Sequence, residues 1–562
     1  MTPARTCLVF SSFTYRGWRA REPARSRFAR PGVRGLLEGG VTVNSVRNGV
    51  GKQRRRRAVL VLVAGLAAVA LVAVASGAVR ATNPTFAAKR TLAGQSGVGG
   101  LTEIETGDLN GDGRDDLVVT RIAWPIAHQT FPIGIYLANG QGGYVDGSSM
   151  WDGPPPRTEH GRQILIADFN GDRRNDIFVA DHGYDLPPFP GHADALALST
   201  PAGKLVDASA NLPSESGFSH SAAAADVNRD GAVDLFVGNI CCADGAKPEI
   251  LLNDGTGHFA RASGVLPAEV TEITLGGFTR SLFVDTNGDG FPDLVLGAFR
   301  ETRDSVVLLN DGTGHYRRLS GAMPPKALGD RAILISLAAL DVNRDGRADL
   351  LAGFQREDFS GRRIQVLIGD GTGRFRDETA ERLPEQDAGE GWPYAIRVAD
   401  LNSDGRLDFG VSVNGEINDR APIYFDDGEG KYHPVAIRSS QPWLVFADAN
   451  GDRRTDIISA LGGEREQIDV QLQIVVPNAP TAVRATATRD SIRVSWQRFS
   501  AADRYEVWRA SRGKPRRLIA TTVAARLDDR TARRGVRYTY VARAVNAAGK
   551  GPFSKAVTAH RG

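Results

Sequence analysis

The sequence predicts an all-β chain: a seven-bladed β-propeller followed by a β-sandwich. Three observations predict the ring. A nine-residue pattern, D-x-N-x-D-[GR]-x-x-D, occurs seven times, beginning at Asp108, Asp168, Asp226, Asp285, Asp341, Asp400 and Asp448, at intervals of 60, 58, 59, 56, 59 and 48 residues. Recurrence on that scale marks a repeat architecture whose units bury their apolar faces on one another. Apolar β-type runs flank the pattern, such as ILIA before Asp168 and IFVA from Ile177, so each copy joins two strands of a hairpin. A second motif lies between consecutive copies: LLNDGTGHF from Leu251, LLNDGTGHY from Leu308, LIGDGTGRF from Leu367 and YFDDGEGKY from Tyr424, with weaker versions from Tyr136 and Leu196. It reads as an apolar strand, a Gly-rich turn and an aromatic-led strand, hence another hairpin. Each repeat is therefore four strands, and helical periodicity is lacking.

Ahead of the ring lies a leader. The chain's net charge is +4, but residues 1–80 hold fifteen Lys and Arg against Glu22 and Glu38, which leaves −9 for the rest. The basic character belongs to the leader, and no nucleic-acid partner is expected. Residues 1–57 are Arg-rich and aperiodic, and translation is expected to start near Val43 or Val46. Residues 58–79 follow four arginines without a charge, and Ala73-Val74-Ala75 offers a cleavage site. That order is a secretory signal, or, given the length of the apolar run, a membrane anchor through 58–79. Either way the remainder is secreted or displayed at the cell surface. With 41% hydrophobic and 24% charged residues the chain is neither a disordered tail nor a polytopic membrane protein, and three cysteines exclude a disulfide framework.

The repeated loop has the chemistry of a hard-cation site. Oxygens at positions 1, 3, 5 and 9, with a backbone carbonyl at 7, converge if the chain turns sharply at 6, where glycine tolerates positive φ. The ligands so predicted are Asp108, Asn110, Asp112 and Asp116; Asp168, Asn170, Asp172 and Asp176; Asp226, Asn228, Asp230 and Asp234; Asp285, Asn287, Asp289 and Asp293; Asp341, Asn343, Asp345 and Asp349; Asp400, Asn402, Asp404 and Asp408; Asp448, Asn450, Asp452 and Asp456. Up to seven Ca²⁺ ions are expected. The bland alternative is an Asp/Asn/Gly turn held by side-chain-to-backbone bonds. Arg173 and Arg453 occupy position 6 of loops two and seven, and a non-glycine residue at positive φ costs about 1–2 kcal/mol, so those sites are expected to be weaker or empty. Position 12, acidic in an EF-hand, is Val119, Val179, Val237, Leu296, Ala352, Val411 and Ser459, which excludes that motif.

Seven loops but only six Gly-turn hairpins leave one outer strand missing, and the aromatic-led segment Thr85–Arg90 is expected to supply it, exchanging strands between the chain ends. These repeats resemble the FG-GAP or VCBS family, the propeller type of integrin α-subunit heads and of many secreted bacterial proteins, over residues 84–477. The resemblance implies calcium at positions 1, 3, 5 and 9; for activity it implies little, since relatives include adhesion heads, lectin-like proteins and polysaccharide-acting enzymes. Residues 478–562 change to alternating strands, SIRVSWQRF, RYEVWRA and RYTYVARAVN. They resemble a fibronectin type III domain, in which Trp496 matches the core tryptophan and Tyr538 the tyrosine whose hydroxyl pins a corner.

Both kinds of hairpin protrude from one face of the ring, so the long irregular connections build the other, where binding residues concentrate. Candidates there are His160, His182, Tyr184, His220, Arg280, Arg300, Trp392 and Tyr394, read as aromatic and charged groups rimming a shallow depression that suits a glycan or a peptide. A histidine metal site is not expected, because no two histidines lie at ligand spacing within one element. Cys241 and Cys242 are adjacent and are candidates for a vicinal disulfide. The resulting expectation is a monomeric, calcium-binding recognition protein for an extracellular glycan or protein. The alternatives are a polysaccharide-acting hydrolase or lyase, weighed down by the lack of G-x-S-x-G and H-E-x-x-H motifs, and a structural cell-envelope protein.

Overall fold

A computed structural model describes residues 85–562 apart from 97–98, 124, 215, 241–245, 273–276, 300–303, 387–390, 415–420, 438–442, 462–464, 476, 499–501 and 547–548. The leader and the apolar segment 58–79 lie outside the described residues. So do Arg300 and the Cys241–Cys242 pair. Among the described residues no helix is long and apolar enough to cross a membrane.

The described chain is almost entirely β. Seven four-stranded antiparallel sheets follow one another. Sheet I is built from Gly100–Gly107, Asp116–Ile122, Gly134–Ala138 and Tyr144–Asp146; sheet II from Gly161–Ala167, Asp176–Asp181, Ala195–Ser199 and Leu205–Asp207; sheet III from Ser219–Ala225, Asp234–Asn239, Glu249–Asn253 and Phe259–Arg261. Sheet IV comprises Phe278–Val284, Asp293–Ala298, Val306–Asn310 and Tyr316–Leu319; sheet V Ile333–Leu340, Asp349–Gln355, Arg363–Gly369 and Phe375–Asp377; sheet VI Trp392–Ala399, Asp408–Asn414, Ala421–Asp426 and Tyr432–Ile437. Each second strand begins at the ninth residue of an Asp-rich loop and is buried on both faces, which is why it reads as an unbroken apolar run rather than an alternation.

Sheet VII combines the two ends of the ring. Trp443–Ala447, Asp456–Leu461 and Arg465–Gln471 come from its C-terminal end, and the outer strand is Arg90–Ser96, in register Arg90 to Val470. The strand exchange thus forms five residues further along than the sequence suggests. Thr85–Phe86 pairs instead with Gln473–Ile474, because the ladder with Arg465–Gln471 ends at Gln471 and the contact resumes as a separate two-stranded ladder. The first strand of each sheet packs on that of the next, and Trp443–Ala447 packs on Gly100–Gly107. Seven apolar clusters fill the seven interfaces; the one that closes the circle joins Leu101, Ile104, Leu117 and Val119 to Val445, Ile458, Ile468 and Val470. Each first strand is the inner edge of its sheet and is covered by the packing of its neighbours around the ring.

The axis is filled by polar side chains of the first strands. Arg397 of sheet VI reaches Glu103 at 3.1 Å and Glu105 at 3.0 Å in sheet I. Arg280 of sheet IV donates to Gln163 Oε1 of sheet II at 3.0 Å and to the Tyr394 carbonyl at 3.2 Å. Arg162 donates to His220 Nε2 at 3.2 Å and lies 5.1 Å from the Tyr394 ring centre. Side chains from sheets I, II, III, IV and VI therefore meet at the centre of the ring.

Residues from Arg484 onward form two facing sheets. One holds Arg484–Ala487, Ile492–Ser495 and Arg526–Asp529; the other holds Lys514–Thr522, Arg504–Ser511, Arg537–Asn546, Gly549–Lys550 and Val557–His560. Trp496 is buried between them, edge-on to Tyr505 at 5.1 Å, and the Tyr538 hydroxyl accepts the Arg533 N–H at 3.2 Å. Burial alone would raise the Glu506 pKa, but Lys550, Arg543 and the Trp508 indole hold it down at about 2. A depressed carboxylate stabilises the fold above its unfolded pKa and loses that contribution as pH falls through the folded value. Glu506→Gln is accordingly expected to lower the melting temperature of the sandwich at pH 7, and the gap to wild type should close between about pH 4.5 and 2, as followed by calorimetry.

Candidate functional site

The seven Asp-rich loops share one hydrogen-bonding scheme. The Asp at position 9 is fully buried in every loop: Asp116, Asp176, Asp234, Asp293, Asp349, Asp408 and Asp456. One of its oxygens accepts the N–H of position 2, and the other accepts an N–H near the end of the third strand. In loop one the donors are Leu109 at 3.1 Å and Ala138 at 2.8 Å; in loop six they are Leu401 at 3.0 Å and Asp426 at 2.9 Å. This carboxylate clasps loop and sheet together, a role that ligand spacing alone did not reveal. Position 1 turns both oxygens toward the N–H groups of positions 4 to 6, and the Asn oxygen of position 3 takes the N–H of position 5. In loops one, five, six and seven the Asp at position 5 also receives the guanidinium of position 7.

The consequence is a crowd of carboxylates. Burial, followed by the charges of positions 5 and 1, pushes Asp408 up to about 8 and Asp234 and Asp456 up to about 7. Burial likewise raises Asp116 to about 6, with Asp112 and Asp108 adding to it. An all-oxygen donor set whose members repel one another fits a hard divalent cation, which would relieve that repulsion.

Loops two and seven are not set apart by backbone strain. Arg173 (φ 68°) and Arg453 (φ 62°) do occupy the left-handed region, yet so do Arg229, Arg344 and Ser403 at position 4 of loops three, five and six. Each loop needs positive φ at both position 4 and position 6, and five of the seven supply one of the two with a non-glycine residue. Arg173 and Arg453 also donate to position 1 at 2.8 and 2.7 Å, as Gly113 does in loop one at 2.8 Å.

At the opposite end of the sheets the candidate ligand residues are gathered, but mostly indoors. His160, His182, His220, Arg280 and Tyr394 are all buried. They do not rim an open depression; the first strands bring them inward, where they pack around the axis. His182 lies 5.1 Å from the rings of both His160 and His220 and 3.5 Å from that of Phe218. His220 is fully engaged, its Nδ1 on the Thr279 carbonyl at 3.1 Å and its Nε2 on Arg162. Arg162, His220, Thr279, Arg280, Ile335 and Tyr394 line one narrow pocket. Trp392 begins the first strand of sheet VI, paired with Asn414. Tyr184 is partly exposed and stacks on His128 at 3.7 Å, with His128 Nδ1 3.0 Å from Glu159 Oε1.

No two histidines lie at ligand spacing within one element, yet two of them come together from separate elements. His160 precedes the first strand of sheet II and His182 follows its second, and the antiparallel register, Asp181 opposite Gly161, makes them neighbours. Asp181, missed in the sequence, holds both backbones, accepting N–H groups from Glu159, His160 and Gly183 at 2.7, 2.8 and 3.0 Å. Gly183 (φ 72°) makes the turn beyond it, where a Cβ would meet the Gly191 carbonyl carbon at 2.3 Å. Asp185 comes round to face His160 and His182, and burial raises its carboxyl to about 6. Burial also pushes both imidazoles well below the ordinary histidine value, which keeps them neutral.

Comparison with known proteins bears on the loops. The family described as FG-GAP-like repeat matches residues 108–179, 168–237, 285–352 and 341–411, segments that include six of the seven Asp-rich loops. Over those segments the chain is similar to FG-GAP-like repeats. Proteins with similar sequences include the T-cell immunomodulatory protein of Rattus norvegicus, 27% identical over 403 residues that cover 62% of this chain and 62% of that protein. Integrin alpha-7 of Homo sapiens is 33% identical over 147 residues, covering 25% of this chain and 12% of that one. The chain thus spans less than two thirds of the length of these curated relatives. Among solved structures, that of the Dos1 propeller covers 68% of this chain and 94% of its own at 9% identity, with a TM-score of 0.39. The matched segments lie within the ring of seven four-stranded sheets.

Proposed function

We propose that the chain is a secreted or surface-anchored recognition protein. Its FG-GAP repeats form a seven-bladed, calcium-stabilised propeller, followed by a fibronectin type III domain that acts as a spacer, and the monomer binds an extracellular glycan or protein. The observation that carries the calcium reading is the seven-fold recurrence of a buried Asp at position 9 beside the carboxylates of positions 1 and 5. The integrin alpha and T-cell immunomodulatory relatives support extracellular recognition. The recognition surface is placed on the end opposite the calcium loops, around the stacked His128–Tyr184 pair and the exposed Leu186. Stacked rings beside polar groups suit both sugar faces and peptide side chains.

The test is an array of glycans and matrix proteins probed with the full chain in millimolar calcium. Saturable binding is expected, weakened about tenfold or more in Tyr184→Ala, as a central aromatic contact would be. Binding that survives both Tyr184→Ala and His128→Ala would place the recognition surface elsewhere.

A further inference from the structure

We propose that His160, His182 and Asp185 form a transition-metal site of the zinc class, separate from the calcium loops and at the other end of sheet II. Their candidate ligand atoms all lie within 4.8 Å of one another. His160 Nδ1 is 3.9 Å from Asp185 Oδ2, and His182 Nδ1 is 3.8 Å from Asp185 Oδ1. Around a tetrahedral ion with bonds of about 2.0–2.2 Å, ligand atoms stand about 3.3–3.6 Å apart. A shift of a few tenths of an ångström closes each imidazole onto Asp185, and the two imidazoles need to approach each other by no more than about 1.2 Å to share one ion.

The second observation is independent of that spacing. His160 Nδ1 and His182 Nδ1 are both buried without a hydrogen-bond partner among the described residues, in side chains 7% and 4% exposed. Buried polar atoms are almost always satisfied, and two orphaned lone-pair atoms aimed at one carboxylate call for something between them. The surroundings supply the orientation that such a site needs. Asp181 fixes the two backbones, the His182 N–H donates to the His160 carbonyl at 3.1 Å, and Phe218 packs against the His182 ring. His220, the third imidazole of the group, is excluded as a ligand, since Arg162 and Thr279 take both its nitrogens. Two nitrogens and one carboxylate select a borderline-soft ion over calcium, which binds through oxygen alone. Three protein ligands also leave a coordination position for water or for a donor group of a bound partner.

The test uses the full chain, stripped with chelator and returned to saturating calcium so that the Asp-rich loops are filled. Zinc binding is followed by calorimetry and cobalt binding by visible absorption. One zinc per chain is expected, with a cobalt spectrum of nitrogen and oxygen ligation. His160→Ala and His182→Ala are expected to weaken zinc binding about 100-fold or more, and Asp185→Asn about 10- to 100-fold. Asp185 is partly exposed, so its Asn variant keeps the question open to test if a histidine variant fails to fold. Histidine ¹⁵N resonances of the wild type give a second readout, zinc shifting two imidazoles and leaving His220 in place. The proposal is overturned if calcium-saturated wild type takes up no zinc, if zinc moves no imidazole resonance, or if folded Asp185→Asn binds zinc as tightly as wild type.

Discussion

In calcium-free buffer the propeller unfolds at a temperature lower by on the order of ten degrees than in millimolar calcium, while the sandwich, which has no Asp-rich loop, melts where it did. Extracellular oxygen-ligand sites commonly bind calcium at about 10⁻⁴ to 10⁻³ M, so each loop gains only about 0.5–1.5 kcal/mol at millimolar calcium. The loops act on one closed ring, however, and their contributions add to several kcal/mol. The staples between loops make the ring respond as a unit. Asn253 of sheet III donates to the Phe169 carbonyl in loop two, Asn310 of sheet IV to the Val227 carbonyl in loop three, and Asp115 accepts the Asp448 N–H across the closure. Scanning calorimetry of the full chain with and without chelator measures the effect, and an unmoved propeller transition would remove calcium from the account of stability.

Removing the guanidinium of Arg397 has the other large effect. Arg397→Ala strips Glu103, which is 2% exposed, of its ion-pair partner. Burial already raises the Glu103 pKa, and Arg397 and then Arg280 are the charges that oppose the shift. Breaking a buried pair from one side costs about 3–5 kcal/mol, because a charge is left behind without compensation. Removing both members is milder, so Arg397→Met combined with Glu103→Gln should recover a large part of the loss. Chemical denaturation of the single and double variants measures the difference; a single variant as stable as wild type would show that the axial network is dispensable.

The contrast between these two effects separates what the sequence discloses from what it hides. The Asp-rich loops, the hairpins and the count of four strands per unit are local patterns. Asp, Asn and Gly at fixed offsets and apolar runs beside them depend only on residues within about ten positions, so they can be read directly. The axial network is assembled from residues such as Glu103, Gln163, Arg280 and Arg397, up to 294 positions apart, and no local signal links them. The His160–His182 pair lies between these cases. The two residues stand one position beyond the ends of strands Gly161–Ala167 and Asp176–Asp181, so their hairpin is local, but it is the register shift between Ala180 and Asp181 that sets them opposite each other. The strain at position 4 was equally available, since Arg229, Arg344 and Ser403 occupy a slot that is glycine in the other four loops. The outer strand of sheet VII was misplaced by five residues because the aromatic cue, Phe86, belongs to the short ladder with Gln473 and not to the strand that follows.

The most direct test of the central claim is a count of calcium. Equilibrium dialysis of the full chain against millimolar calcium, followed by elemental analysis, is predicted to give about seven ions per chain, one for each Asp-rich loop, and one fewer in Asp289→Ala. Retention of no more than about one ion per chain, or an unchanged count in that variant, would contradict it.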